Sequence, residues 1–132
     1  MSLLPSSLAL AGAEVELVDL PDRAQRLRNV IRDSADNYDY ILVDCPPSLG
    51  LLTLNALVAA EGGVLIPVQC EYLALEGLGQ LTDTITRVRS SLYPGLRIRG
   101  VILTMYDGRT RLANDVVSDV RRFFPQQVFQ TV

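Results

Sequence analysis

The sequence contains no lysine and no histidine, and its twelve basic residues are all arginines. A Gly-rich phosphate loop that closes on lysine and a hydroxyl residue is therefore excluded. No Gly-x-x-x-x-Gly followed by a basic residue and a hydroxyl precedes Asp44. With no histidine and two cysteines, the usual ligand set for a transition metal is missing. Cys45 and Cys70 read as buried reduced thiols rather than as a disulfide. No run of about eighteen apolar residues is present, so no segment has the pattern of a membrane-spanning helix. The opening has neither the basic n-region nor the long apolar h-region of a signal peptide. Internal repeats, low-complexity stretches and long linkers are also missing.

What is present is 132 residues, 48% of them hydrophobic, which is one domain's worth of chain with enough apolar content for a core. The expectation is a single cytoplasmic domain over residues 1–132. Charge is unevenly placed. Residues 1–76 hold eleven acids and four arginines, whereas residues 77–132 hold four acids and eight arginines. The overall charge of −3 thus conceals a basic half, and a basic face suits a polyanion, because phosphate contacts dominate nucleic-acid affinity. Arg87, Arg89, Arg121 and Arg122 read as solvated helix faces.

The most informative stretch runs from Tyr38 to Ser48. Tyr40 to Val43 is a continuous apolar run, the pattern of a strand covered on both faces of a parallel sheet. Asp44 ends it, and ligands of open α/β sheets bind beyond the carboxyl ends of the strands. Pro46 and Pro47 then stop the strand and stiffen the loop. Alone, an acid in this position reads first as the cap of the next helix.

Further elements alternate. Helices are predicted over Asp22 to Ser34 (Leu27, Val30 and Ile31 inward), Leu51 to Ala60 (Leu51, Leu54, Val58), Leu73 to Leu92 (Leu75, Leu78, Leu81, Ile85, Val88) and Leu112 to Phe124 (Leu112, Val116, Val120, Phe123). Pro21 precedes the first, Gly62-Gly63 closes the second, and Tyr93-Pro94-Gly95 ends the third. Strands are predicted over Tyr40 to Asp44, Val64 to Val68, Ile98 to Met105 and Gln127 to Val132. This alternation predicts an α/β fold, a mostly parallel sheet with flanking helices. The first three strands would bring Asp44, the Pro67-Val68-Gln69 end and Tyr106-Asp107-Gly108-Arg109 to one rim.

Several segments together carry a family resemblance: Leu10-Ala11-Gly12-Ala13-Glu14-Val15-Glu16-Leu17, the Asp44 stretch with Ser48-Leu49-Gly50-Leu51-Leu52-Thr53-Leu54-Asn55-Ala56-Leu57, Val64 to Tyr72, Ala74-Leu75-Glu76-Gly77-Leu78, and Leu103 to Thr110. The chain closely resembles the ParA family of chromosome- and plasmid-partitioning ATPases with deviant Walker motifs, from about Leu4 to Val132. The resemblance implies a partial P-loop NTPase fold of the ParA/MinD kind. It also implies ATP and Mg²⁺ as cofactors of the intact protein, with Asp44 as the Walker B acid holding the water shell of Mg²⁺. Pro46, Pro47 and Ser48 would belong to a switch loop sensing the γ-phosphate. Gln69 and Glu71 look like family residues without an assignable chemical role.

By the same resemblance Arg109 would contact DNA non-specifically, through phosphate alone, since no aromatic residues interleave to stack on bases. Arg111 departs from the commoner polar residue and would reinforce it. The implied partners are non-specific DNA, a ParB-type centromere-binding protein and a second copy in an ATP-dependent homodimer. The implied setting is the nucleoid, with no membrane contact. The family's phosphate loop with its two lysines, its first switch loop and its arginine-bearing segment after the last strand do not match here. Two explanations stay open: a deliberately shortened piece, with residues 1–3 a cloning scar, or a natural protein without the loop. Three functions correspond: part of a partition ATPase, inactive alone; a non-catalytic DNA- or partner-binding paralogue; or a related enzyme such as a MinD-like ATPase or an ATP-dependent amide-forming enzyme.

Overall fold

The computed structural model describes residues 1–46, 48, 50–71 and 74–130, the side chains of Ala74 and Leu75 excepted. The chain falls into two compact units, Met1–Ala60 and Glu61–Val132.

In the first unit, a 3-10 turn over Leu8–Gly12 leads into α1 (Ala13–Glu16), followed by α2 (Arg26–Arg32), a second 3-10 turn (Ala35–Asn37) and α3 (Leu51–Ala59). The buried residues of α3 are Thr53, Asn55, Ala56, Leu57 and Val58. Leu51 and Leu54, expected inward with Val58, are half-buried. Asn55 is 4% exposed, and a buried amide must be hydrogen-bonded. Its Nδ2 donates to the Arg23 carbonyl at 2.7 Å and the Leu51 carbonyl at 2.9 Å, while its Oδ1 accepts the Leu27 N–H at 3.1 Å. These bonds dock α3 on the start of α2. That helix begins at Arg26 rather than at Asp22, because Asp22 to Gln25 forms a turn closed by Gln25 N–H to the Asp22 carbonyl. Val30, expected inward, is 63% exposed, so Leu27 and Ile31 are the residues of this helix that pack.

The expected strand at Tyr40 to Asp44 does not form: the segment has no ladder partner among the described residues, and Tyr40 and Leu42 are 88% and 84% exposed. An apolar run shows what a segment could bury, but a strand exists only where a neighbour takes its N–H and C=O groups.

The second unit is a βαβ arrangement with a further helix. β1 (Val64–Gln69) and β2 (Ile98–Thr104) pair in parallel, from Val64 opposite Ile98 to Gln69 opposite Thr104, joined through α4 (Ala74–Ser91) as a parallel crossover requires. Along β1 burial alternates, with Ile66 and Val68 buried and Leu65, Pro67 and Gln69 exposed. The strand is therefore covered on one face, not on both as its apolar run suggested. Pro67 fits a strand that is paired on one side only among the described residues, since proline cannot donate to a ladder. Gly63 enters β1 at φ +99°, where a Cβ would sit 2.8 Å from the Arg97 carbonyl oxygen, so only glycine is accommodated there.

α4 buries Leu78, Ile85 and Val88, on the face expected for it; its expected start at Leu73 lies outside the described residues. α5 (Arg111–Phe123) buries Ala113, Val116 and Val120, with Phe124 just beyond. Leu112 and Phe123, expected inward, are 46% and 71% exposed, because the true stripe is displaced by one position at each end. The expected last strand reduces to one parallel bridge between Val101 and Val128, held by Val101 N–H to the Gln127 carbonyl and Phe129 N–H to the Val101 carbonyl. Thr131 and Val132 lie outside the described residues.

Candidate functional site

The first unit carries the Asp44 loop. Irregular backbone leaves Asp44, Cys45 and Pro46 exposed, and Ser48 is exposed as well; Pro47 and Leu49 lie outside the described residues. Thr53 Oγ1 donates to the Ser48 carbonyl at 2.6 Å, which ties the loop to the first turn of α3. At that turn Gly50 has no side chain to offer as a cap. The Glu14 carboxylate stands there instead, 3.4 Å from the Leu52 N–H and against the Gly50 Cα, where a Cβ would collide with it. An acid at a helix N-terminus is favourable.

Cys45 was expected to be buried; it is exposed, whereas Cys70 is buried, and both are free thiols. Local desolvation first, and the neighbouring Asp44 carboxylate second, push the Cys45 thiol above its ordinary value. Its thiolate is disfavoured, which argues against a nucleophilic role.

Asp44 and Ser48 offer oxygen donors alone, the kind a hard cation such as Mg²⁺ accepts while keeping several waters. Among the described residues no group of three or more His, Cys, Asp or Glu could hold a metal by itself. A hard cation held here would have to take its other ligands from water and phosphate. It supplies no lysine for the phosphates themselves.

The second unit carries the loop from β2 to α5. Met105 leaves the strand at φ 55°, a left-handed conformation uncommon outside glycine. Tyr106 OH donates to Asn114 Oδ1 at 2.8 Å, and Asn114 Nδ2 donates to the carbonyls of Gly108 at 3.0 Å and Thr110 at 2.8 Å. Thr110 caps α5: its Oγ1 accepts the Ala113 N–H at 3.2 Å and donates to the Asp107 carbonyl at 3.1 Å. Sequence reasoning passed over Asn114, although a polar residue one turn past a cap threonine is placed for this bonding.

Arg109 is fully displayed, with a side chain 90% exposed. It is also paired. Asp107 Oδ1 accepts the Arg109 backbone N–H at 3.0 Å and Nε at 2.9 Å, and Asp107 Oδ2 accepts Nη2 at 2.7 Å. These bonds hold the Asp107 carboxyl below its ordinary value and Arg109 above its own. Arg111, 96% exposed, lies 3.8 Å from Asp115 one turn along α5. Arg87, Arg121 and Arg122 are exposed, as expected of solvated helix faces. Arg89 differs: it is half-buried and its Nε donates to the Leu96 carbonyl at 2.6 Å, closing the turn after α4.

Of the rim expected from three strands, the sheet itself supplies two strand ends among the described residues. Gln69, Glu71 and Thr104 line a cleft of about 500 Å³ with Pro67, Gly77 and Leu78. Thr104 was not singled out from the sequence. The Asp44 loop belongs to the other unit.

The family model for an AAA domain, AAA_31, matches residues 1–98. The chromosome partitioning protein ParA of Myxococcus xanthus is 54% identical over 132 residues, all of this chain and 46% of that protein. The sporulation initiation inhibitor protein Soj of Bacillus subtilis is 50% identical, covering all of this chain and 52% of Soj. The chain thus spans about half the length of the curated relatives it matches. Among solved structures, cobyrinic acid a,c-diamide synthase from Mycobacterium smegmatis with bound ADP and magnesium superposes with a TM-score of 0.85 at 43% identity, over 92% of this chain and 49% of that one. Apo McdA from Cyanothece superposes with a TM-score of 0.87 at 20% identity, over 98% and 53% of the respective chains, a likeness of fold alone. These neighbours agree with the α/β architecture of parallel strands and flanking helices. No helix among the described residues is long and apolar enough to cross a membrane.

Proposed function

This chain belongs to the AAA-domain family, as a ParA-type member, and from that premise we propose that it forms part of a single ATPase domain that partitions a chromosome or plasmid. The observation that carries the reading is 54% identity to Myxococcus ParA along the whole of the chain. The basic second half and the exposed Arg109 support it.

In this reading Asp44 orients the water shell of a magnesium ion, and Pro46, Pro47 and Ser48 form the loop that responds to the γ-phosphate. Magnesium-bound ATP, when present, supplies the charge that such a loop can sense. The residues of this chain act by position and electrostatics rather than by covalent attack. Asp44 offers an exposed carboxylate, Thr53 ties the loop to α3 through the Ser48 carbonyl, and Glu14 stands at the start of α3. A lysine-bearing phosphate loop is not among these residues. Arg109, with Arg111 beside it, contacts DNA phosphates without reading sequence. A ParB-type protein and a second copy of the chain complete the nucleoid-associated assembly.

A second reading keeps the same nucleotide chemistry but couples it to amide formation. It is favoured by the 43% identity to the cobyrinic acid diamide synthase. The segment from Leu103 to Thr110, which matches the partition branch, weighs against it.

The test is binding of the chain to random-sequence duplex DNA across a salt series. Partition function predicts affinity that falls with salt and a slope lowered by about one in Arg109→Ala. Affinity indifferent to that substitution removes Arg109 from the site.

A further inference from the structure

The guanidinium proposed to receive a DNA phosphate already holds an anion. Asp107 Oδ1 and Oδ2 lie along the Nε–Nη2 edge of Arg109 at 2.9 and 2.7 Å, the two-point geometry in which arginine also takes a phosphate. The carboxylate does not reach this position by chance of a flexible side chain. Its backbone carbonyl is fixed by both the N–H and the hydroxyl of Thr110, and the loop around it is fixed by Tyr106, Asn114 and Gly108. Oδ1 also takes the Arg109 backbone N–H at 3.0 Å, which holds the two residues in register. The pair is open to water, with side-chain exposures of 90% for Arg109 and 42% for Asp107, so it is weak enough to be exchanged. Arg111 faces Asp115 in the first turns of α5 in a looser version of the same arrangement, and the four charges cancel.

We propose that Asp107 is a built-in competitor for the phosphate that Arg109 receives: DNA binds this loop by displacing the Asp107 carboxylate from the guanidinium edge. The proposal rests on the reading of Arg109 as a DNA contact. Its consequence is a site kept deliberately modest in affinity, where a bare arginine would hold phosphate more tightly.

The experiment measures affinity for one random-sequence duplex at low salt in the full chain, in Asp107→Asn, in Asp107→Ser, in Arg109→Ala and in the Asp107→Asn/Arg109→Ala double variant. Asn and Ser both keep an acceptor for the Arg109 N–H and so keep the turn, but neither carries charge. Each is expected to tighten binding by about two- to fivefold, the scale of one exposed ion pair, with a steeper salt dependence, and the double variant is expected to lose the gain. Weaker or unchanged binding in both single Asp107 variants, with Arg109→Ala still impaired, overturns the competitor role and leaves the DNA reading intact. A gain that survives in the double variant also overturns it, since removing any negative charge would then suffice. Wild-type binding in Arg109→Ala overturns both the DNA reading of this residue and the proposal built on it.

Discussion

Asn55 in α3 accepts the backbone N–H of Leu27 in α2 at 3.1 Å, and this bond joins two helices of the first unit through a side chain that is 4% exposed. Replacing Asn55 by leucine keeps the branched shape but strands the Leu27 N–H and the Arg23 carbonyl. The expected cost is about 1–3 kcal/mol for buried groups left unpaired. Denaturant unfolding and hydrogen exchange at the Leu27 amide measure it; unchanged exchange there contradicts the docking role.

In the second unit the core is centred on Ile85, which is fully buried. Ile85→Ala is expected to cost about 2–5 kcal/mol in denaturant unfolding. Phe123→Ala, at a residue 71% exposed, is expected to stay within about 0.5 kcal/mol of the parent. Equal losses at the two positions contradict the burial of Ile85 in α4 and the exposure of Phe123 in α5 described above.

Met105 holds a left-handed backbone at φ 55° where the chain turns from β2 toward Arg109. A β-branched residue is strained in that region, so Met105→Val is expected to destabilise by about 1–3 kcal/mol and Met105→Gly to fold without that strain. Thermal unfolding of the two variants checks the order.

The Asp107 carboxyl is held below its ordinary value by the Arg109 side chain first and the Arg109 backbone N–H second. A lowered value in the folded state means that the unfolded chain takes up the proton more readily. The pair is therefore fully formed above the ordinary aspartate range and is lost as pH falls through the lowered value. In an NMR titration Asp107 is expected to titrate below the ordinary aspartate value and to return toward it in Arg109→Ala. Titration at the ordinary value in the parent chain contradicts the pairing.

Much of this was legible in the sequence for physical reasons. Helical periodicity placed α3, α4 and α5 to within two residues, and the Val64 and Ile98 runs placed β1 and β2, because apolar spacing records which face is buried. Tyr40 to Val43 shows the limit: the run has the composition of a buried strand, but pairing depends on a neighbour that composition does not specify. The α5 stripe was misplaced at its ends because Ala113 is too small to signal burial while Phe123 signals it strongly. Asn55 was passed over as a polar residue in an apolar helix. At the candidate sites, Asp44 was singled out by its place at the end of an apolar run and, like Arg109, given a role only by the family resemblance. The carboxylate that holds Arg109 was not, since two residues' separation in a loop does not specify whether side chains meet.

The most direct test of the account is ATP hydrolysis by this chain placed behind a Gly-rich, lysine-bearing phosphate loop from a ParA relative, with and without Asp44→Ala. The account predicts magnesium-dependent hydrolysis that the substitution abolishes. Hydrolysis that survives in the Asp44→Ala protein would contradict it.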